Sequence, residues 1–350
     1  MNGKITLLTG YDHFFGQTRK PWVSLNTKAL IEDLEKHGIQ VTEYPFHKVM
    51  NGEIEIREAV VFYTFSQREN LRHYIKDTVY ALQNNGNVLI PSYELLHCHE
   101  NKGYQESQKR ALGITNLPSL YFSSKRELEE YVINYPVVLK TIEGSNGKGV
   151  FLIKSKEQLL DTIKKLEPKA SITTKLDLFR RKYLRLPKKF MGYDLFDSKK
   201  DFEQYRDYIT PEICFVLQRF VPGLQFDYRV IILGEHYYVT KRLTRKDDFR
   251  ASGAKRFTFD FQAPEELLTY SKEFFDKFDS PCLSLDIGVK DNEFFLFEFQ
   301  ALHFGINALV RGKGYYLNSG GNWSFVNHKP VFEKELSHAL LTYLHKKKLF

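Results

Sequence analysis

Cysteine is scarce in this chain of 350 residues: Cys98, Cys214 and Cys282 lie far apart, are odd in number and form no Cys-x-x-Cys pair. That excludes the disulfide framework of small secreted domains and argues against a zinc site; a reducing, cytoplasmic setting is expected. Long apolar runs are missing as well. No window approaches the roughly 18 apolar residues of a membrane-spanning helix, and Met1 to Gly10 offers too short an apolar stretch for a signal peptide, so no transmembrane segment is expected. The chain also lacks internal repeats and low-complexity linkers.

What is present suffices for two or three domains with real cores: 42% of the residues are hydrophobic and 15% aromatic, which sets aside intrinsic disorder and fibrous structure. Lys and Arg exceed Asp and Glu by 51 to 43, a net +8 that favours anionic partners such as nucleotides, polyanions or membrane headgroups. The excess is local. Residues 169–190 carry a net +7, so the rest of the chain is nearly neutral. Within that stretch Leu176, Phe179, Tyr183 and Leu186 recur at near-helical spacing, which predicts a basic amphipathic helix ended by Pro187.

Strand and helix signals alternate over the first hundred residues. Ile5–Thr9, Ile39–Tyr44, Ala59–Thr64 and Asn87–Ile90 read as strands, with helices over Leu25–Lys36 and Glu69–Asn84; this alternation predicts a parallel, Rossmann-like α/β layer. Helices follow over Asn101–Leu112, Lys125–Ile133 and Leu159–Leu166. Pro136–Lys140 and Gly149–Ile153 flank a tight loop and predict an antiparallel hairpin. The second half is β-rich, with strands at Cys214–Phe220, Tyr228–Leu233, His236–Arg242, Leu283–Val289 and Phe294–Gln300, and helices at Pro264–Phe278 and Glu333–His345.

The hairpin loop, Glu143-Gly144-Ser145-Asn146-Gly147-Lys148-Gly149, lets backbone N–H groups approach an anion without interference from Cβ atoms. It is neither a Walker A loop nor a GxGxxG fingerprint, since Gly149-Val150 and Leu152 stand where those motifs need other residues. Lys140 enters the loop from a strand position that would ordinarily be apolar, and Lys102 precedes a helix upstream; two lysines near one loop suit a polyphosphate. Further on, Asp286 and Glu298 interrupt two apolar strands. A buried carboxylate needs a counter-charge or a metal; Glu298 and Gln300 share a strand face, and with Asp286 they make an oxygen-rich set that suits Mg2+. A structural salt bridge is the alternative.

In this order the motifs resemble the ATP-grasp superfamily, in its branch of RimK-like and glutathione-synthetase-like carboxylate–amine ligases, with a match from about Asn101 to Gly305. The resemblance implies an α/β architecture with α+β lobes: an N-terminal Rossmann-like pre-ATP-grasp domain (1–100), a central lobe with the glycine hairpin and the basic insertion (101–215), and a C-terminal lobe with the metal site (216–350). It implies ATP and Mg2+ or Mn2+ as cofactors, with Lys102, Lys140 and the loop residues Gly144, Ser145, Asn146, Gly147 and Gly149 on the phosphates. Gln218, Arg219, Phe220 and Val221 would form the adenine hinge, and Asp227 would meet the ribose. Asp286, Glu298 and Gln300 would be the metal set, and Lys241 and Arg250 would serve the γ-phosphate and the acyl phosphate. Arg219, Gln300 and Ser252-Gly253-Ala254 depart from the residues usual in the family. The activity implied is ADP-forming ligation of a small-molecule or peptide carboxylate to an amine, through an acyl phosphate. A kinase acting on a hydroxyl, or a non-catalytic nucleotide- or polyanion-binding module, is the alternative. His303 is a candidate substrate contact or a structural histidine. The loop Gly10–Lys20, after the first strand, is a candidate substrate site by position, and residues 169–190 await an anionic partner.

Overall fold

The computed structural model describes residues 3–16, 24–66, 68–144, 147–184, 197–244, 248–250 and 256–349. It divides into two compact units: 1–118 with 143–148 and 221–350, and a smaller one of 119–142 with 149–220.

The larger unit opens with four parallel strands, β1 (Gly3–Thr9), β2 (Ile39–Pro45), β3 (Val60–Tyr63) and β4 (Val88–Ile90), in the order β2-β1-β3-β4. Helices α1 (Thr27–Lys36), α2 (Phe46–Met50) and α3 (Glu69–Asn84) connect them, and α4 (Tyr93–Cys98) and α5 (Lys102–Ala111) follow. This is the α/β layer that the alternation predicts. Side-chain caps fix three of the helix starts: Asn26 accepts from Ala29 N, Ser92 from Leu95 N and Asn101 from Tyr104 N.

In the smaller unit β5 (Ser119–Phe122), β6 (Val137–Thr141), β7 (Val150–Ile153) and β8 (Phe215–Arg219) form an antiparallel sheet in the order β5-β8-β6-β7. Leu139, Phe215 and Ile153 of this sheet pack with Leu159 and Ile163 of α6 (Lys156–Leu166). The stretch read as a helix over Lys125–Ile133 is a shorter 3-10 turn, Lys125–Glu130, opened by Ser124. Next come α7 (Ile172–Phe179), which continues as a wider turn through Arg180–Leu184, and α8 (Ser198–Ile209). Leu186 and Pro187 of the predicted amphipathic helix lie outside the described residues.

The larger unit resumes with β9 (Phe226–Leu233), β10 (His236–Leu243), the two-residue β11 (Phe257–Thr258), β12 (Cys282–Lys290), β13 (Glu293–Gln300), β14 (Gly314–Ser319) and β15 (Asn322–Asn327). They form one sheet in the order β13-β12-β9-β10-β14-β15, with β11 paired to β10. Helices α9 (Glu265–Phe275), α10 (Asn307–Arg311) and α11 (Phe332–Lys346) complete the unit. Strand alternation sends Val230, Ile232, Leu283 and Leu285 into a core with Leu267 and Leu268 of α9. On the other face, at one end of the sheet, Ile231, Leu233 and Tyr238 join Ile5, Leu7, Leu340 and Leu344 in a core shared with the N-terminal layer. The other end of that face carries charge.

Candidate active site

Cross-strand neighbours point to the same side of a sheet. Arg242 lies opposite Asp227, Asp286 opposite both Arg229 and Glu298, and Ser284 opposite Gln300. Four strands therefore deliver Asp227, Arg229, Arg242, Asp286, Glu298 and Gln300 to one face. Arg229 grips Asp286 through Nε to Oδ1 at 2.7 Å and Nη2 to Oδ2 at 2.8 Å. Arg242 holds Asp227 with two bonds of 2.6 Å and reaches Asp286 Oδ2 from Nη2 at 2.9 Å, so it bridges both aspartates. Asp227, Arg242 and Asp286 are all buried. Burial pushes the Asp227 carboxyl up, against the pull of Arg242. At Asp286 burial acts in the same sense, but two guanidinium groups outweigh it and hold the carboxyl well below the usual carboxylate range.

The metal set can be tested on its lone pairs. A carboxylate offers about four acceptor sites, and the arginines occupy three on Asp286, leaving one on Oδ1. Gln300 Nε2 donates to Glu298 Oε1 at 3.1 Å, a bond that fixes which atom of the amide is oxygen. Among the described residues no group of three or more His, Cys, Asp or Glu could hold a metal ion. Two carboxylates and an amide oxygen nonetheless fit Mg2+, which is commonly held by one or two carboxylates and completed by substrate phosphates.

Lys102 begins α5, directly after the capping Asn101, and its buried ammonium donates to Gly144 O at 2.7 Å. Glu100 Oε2 receives Gly144 N at 3.4 Å, and Arg72 pairs with Glu143 at 2.9 Å. Arg250 is paired with Asp248 at 2.9 Å and donates to Gly147 O at 3.2 Å. Glu143 and Gly144 are thus tied to Arg72, to Glu100 and to Lys102 at the start of α5, and Gly147 is tied to Arg250. Ser145 and Asn146 lie outside the described residues.

In the smaller unit Lys140 is buried on β6. Gly149 has a φ of +75°, and a Cβ there would sit 2.0 Å from Thr141 Oγ1, so this position accepts only glycine without local rearrangement. Gln218 is buried and donates to Ser119 Oγ at 3.3 Å, while Arg219 is exposed. The chain leaves this unit between Phe220 and Val221, and Val221 packs with Leu117 and Phe295.

Lys241 is not brought to the charged face. Strand alternation turns it to the opposite side, where its ammonium lies 3.8 Å from the centroid of the Phe226 ring. Arg242, one residue on, takes the inward position, and with Arg229 it is what reading the sequence missed. The available signal was parity: Asp227 and Arg229 are two apart on β9, and Arg242 faces Asp227 once β9 and β10 are paired across their two-residue turn.

At the C-terminal end of β1, Glu43 accepts from Thr9 Oγ1 at 2.9 Å and pairs with His13 Nδ1 at 2.8 Å. Gly16 N donates to Thr64 Oγ1. Gly16, Thr64, Phe65 and His303 line a cavity of about 30 Å³. Burial lowers the His303 imidazole to about 4, and its Nδ1 has no partner among the described residues. His99, 6.3 Å from it ring to ring, is also held neutral by burial, and neither ring nitrogen finds a partner there. Residues 17–20 of the N-terminal loop lie outside the described residues.

No family model and no curated protein matches the sequence. Solved structures do. The chain is similar to a D-cycloserine synthetase (12% identity over 99% of this chain and 100% of that one, TM-score 0.52). It is similar to the D-alanine–D-alanine ligase of Bacillus anthracis (13% identity, 99% of each chain, TM-score 0.51). A third likeness is to a Microcystis aeruginosa macrocyclase bound with its precursor peptide (10% identity, 97% of this chain and 99% of that one, TM-score 0.50). At such identities the likeness is one of fold.

Proposed function

From the ATP-grasp fold that this chain has, we propose that it is an ATP-dependent, ADP-forming carboxylate–amine ligase acting through an acyl phosphate. The observation that carries this reading is the charged sheet face, where three carboxylates and two arginines stand together on one side of four paired strands. Lys102, Lys140 and the glycine loop bind the ATP phosphates, residues 218–221 receive the adenine, and Asp286, Glu298 and Gln300 hold Mg2+. A bound cation would neutralise phosphate charge, a task in which the protein's own arginines and lysines would share.

A carboxylate is a poor electrophile. One of its oxygens attacks the γ-phosphorus and ADP departs; the amine nitrogen then attacks the acyl carbon, loses a proton and expels inorganic phosphate. No enzyme nucleophile is needed, and the protein contributes charge stabilisation and exclusion of water. Arg229 and Arg242 stabilise the oxygens on which charge develops. Arg250, beside the glycine loop, serves the transferred phosphate, and the N-terminal residues around Glu43 and Gly16 receive the acid or the amine.

The test is to incubate the protein with ATP, Mg2+, hydroxylamine and pooled candidate acids. Hydroxamate formed together with ADP is expected. ADP formation that yields a phosphorylated hydroxyl compound and never a hydroxamate would replace the ligase with a kinase.

A further inference from the structure

The helices of a globular protein ordinarily pack by their apolar side. In the smaller unit α7 and the turn after it do the reverse. Arg181 pairs with Asp201 of α8 through two bonds of 3.0 and 2.7 Å and lies 3.7 Å from the centroid of the Tyr205 ring, and Tyr205 donates its hydroxyl proton to Asp177. These contacts fix the rotation of the segment. Its opposite side carries Ile172, Leu176, Phe179 and Tyr183, which are 76%, 62%, 55% and 62% exposed. At 3.6 residues per turn Ile172, Leu176 and Phe179 of α7 fall within an arc of about 60°, and Tyr183 on the wider turn continues the stripe with its ring 5.0 Å from that of Phe179. Lys175 and Lys182 flank one edge of the stripe and are exposed; Arg180, on the other edge, is exposed and pairs with Asp177 at 2.8 Å. No residue between Ile172 and Leu184 is buried.

We propose that this segment lies on the surface of an anionic lipid bilayer, with the apolar stripe among the acyl chains and the flanking cations at the headgroups. A contiguous apolar patch facing water calls for a partner. The distribution of charge selects which one. A nucleic acid would need cations on the contact face itself, whereas here they rim an aliphatic and aromatic strip, so that long stems can lie along the apolar surface while their charged heads reach anionic headgroups. The net charge of +4 over residues 169–184, five Lys and Arg against Asp177, supplies the electrostatic attraction.

The full-length protein is mixed with vesicles of phosphatidylcholine alone, or with about 30% phosphatidylglycerol, and sedimented. Binding to the anionic vesicles only is expected, weakening as salt rises. Leu176→Glu with Phe179→Glu should weaken it by at least about tenfold without lowering the melting temperature, because both side chains face solvent. Lys175→Gln and Lys182→Gln should each cost about fivefold. No sedimentation with anionic vesicles would overturn the proposal. So would undiminished binding by the glutamate variant, or a wild type that self-associates through the stripe in analytical ultracentrifugation and ignores lipid.

Discussion

The two faces of β9, β10, β12 and β13 are made by the same strands, one residue out of step. On one, Val230, Ile232, Leu283, Leu285 and Ile287 pack with α9 into a core; on the other, Asp227, Arg229, Arg242 and Asp286 bind one another. The apolar face gains its stability from area removed from water. The charged face costs solvation energy that its ion pairs offset only when every partner is present, and such an arrangement points to chemistry. The contrast teaches that in this fold a single step along a strand separates a residue that holds the sheet from one that serves the site.

Removing Arg242 should break the comparison most severely, because it leaves Asp227 and Asp286 buried with too little counter-charge. Arg242→Met is expected to cost about 3–5 kcal/mol in urea denaturation, and much less if Asp227→Asn is made with it. Leu285→Ala, on the apolar side, should cost about 2–5 kcal/mol through the cavity left behind, yet leave nucleotide affinity unchanged in the folded protein. Acid sharpens the contrast. His303 titrates near 4 in the folded chain and near 6.5 when unfolded, so the unfolded state takes up more protons in between and stability falls as pH drops from 6.5 to about 4, by roughly 3 kcal/mol. His303→Gln should flatten that slope. Asp286 acts lower: its depressed carboxyl contributes stability that is complete above about pH 4 and is lost as pH falls further, a loss absent in Asp286→Asn. Lys241→Ala should matter least, about 0.5–1 kcal/mol for its contact with Phe226.

Much of the fold is legible in the sequence because its periodicities are strong. The hairpin around residues 143–149, the parallel N-terminal layer and the strands bearing Asp286 and Glu298 follow from apolar runs and glycine placement. The parity of β10 does not. Lys241 and Arg242 are adjacent cations, and only the pairing of Arg242 with Asp227 decides which one faces inward. The β14–β15 hairpin also escapes reading, since most of its residues are half-buried or exposed and no clean alternation marks it, although Gly320 and Gly321 with φ of 61° and 96° mark its turn. Helix α8 is rich in charge and aromatic residues, and its partner is the polar side of α7, so no apolar stripe announces it.

The central claim, that the charged face is where ATP and its cation meet the protein, is tested most directly by titrating ATP with Mg2+ into Glu298→Gln and Lys241→Gln in a calorimeter. The substituted residues lie on opposite faces of one sheet. Glu298→Gln is expected to bind at least about tenfold more weakly than the wild type, and Lys241→Gln to bind as the wild type does. Full affinity in Glu298→Gln together with a loss in Lys241→Gln would assign the chemistry to the other face.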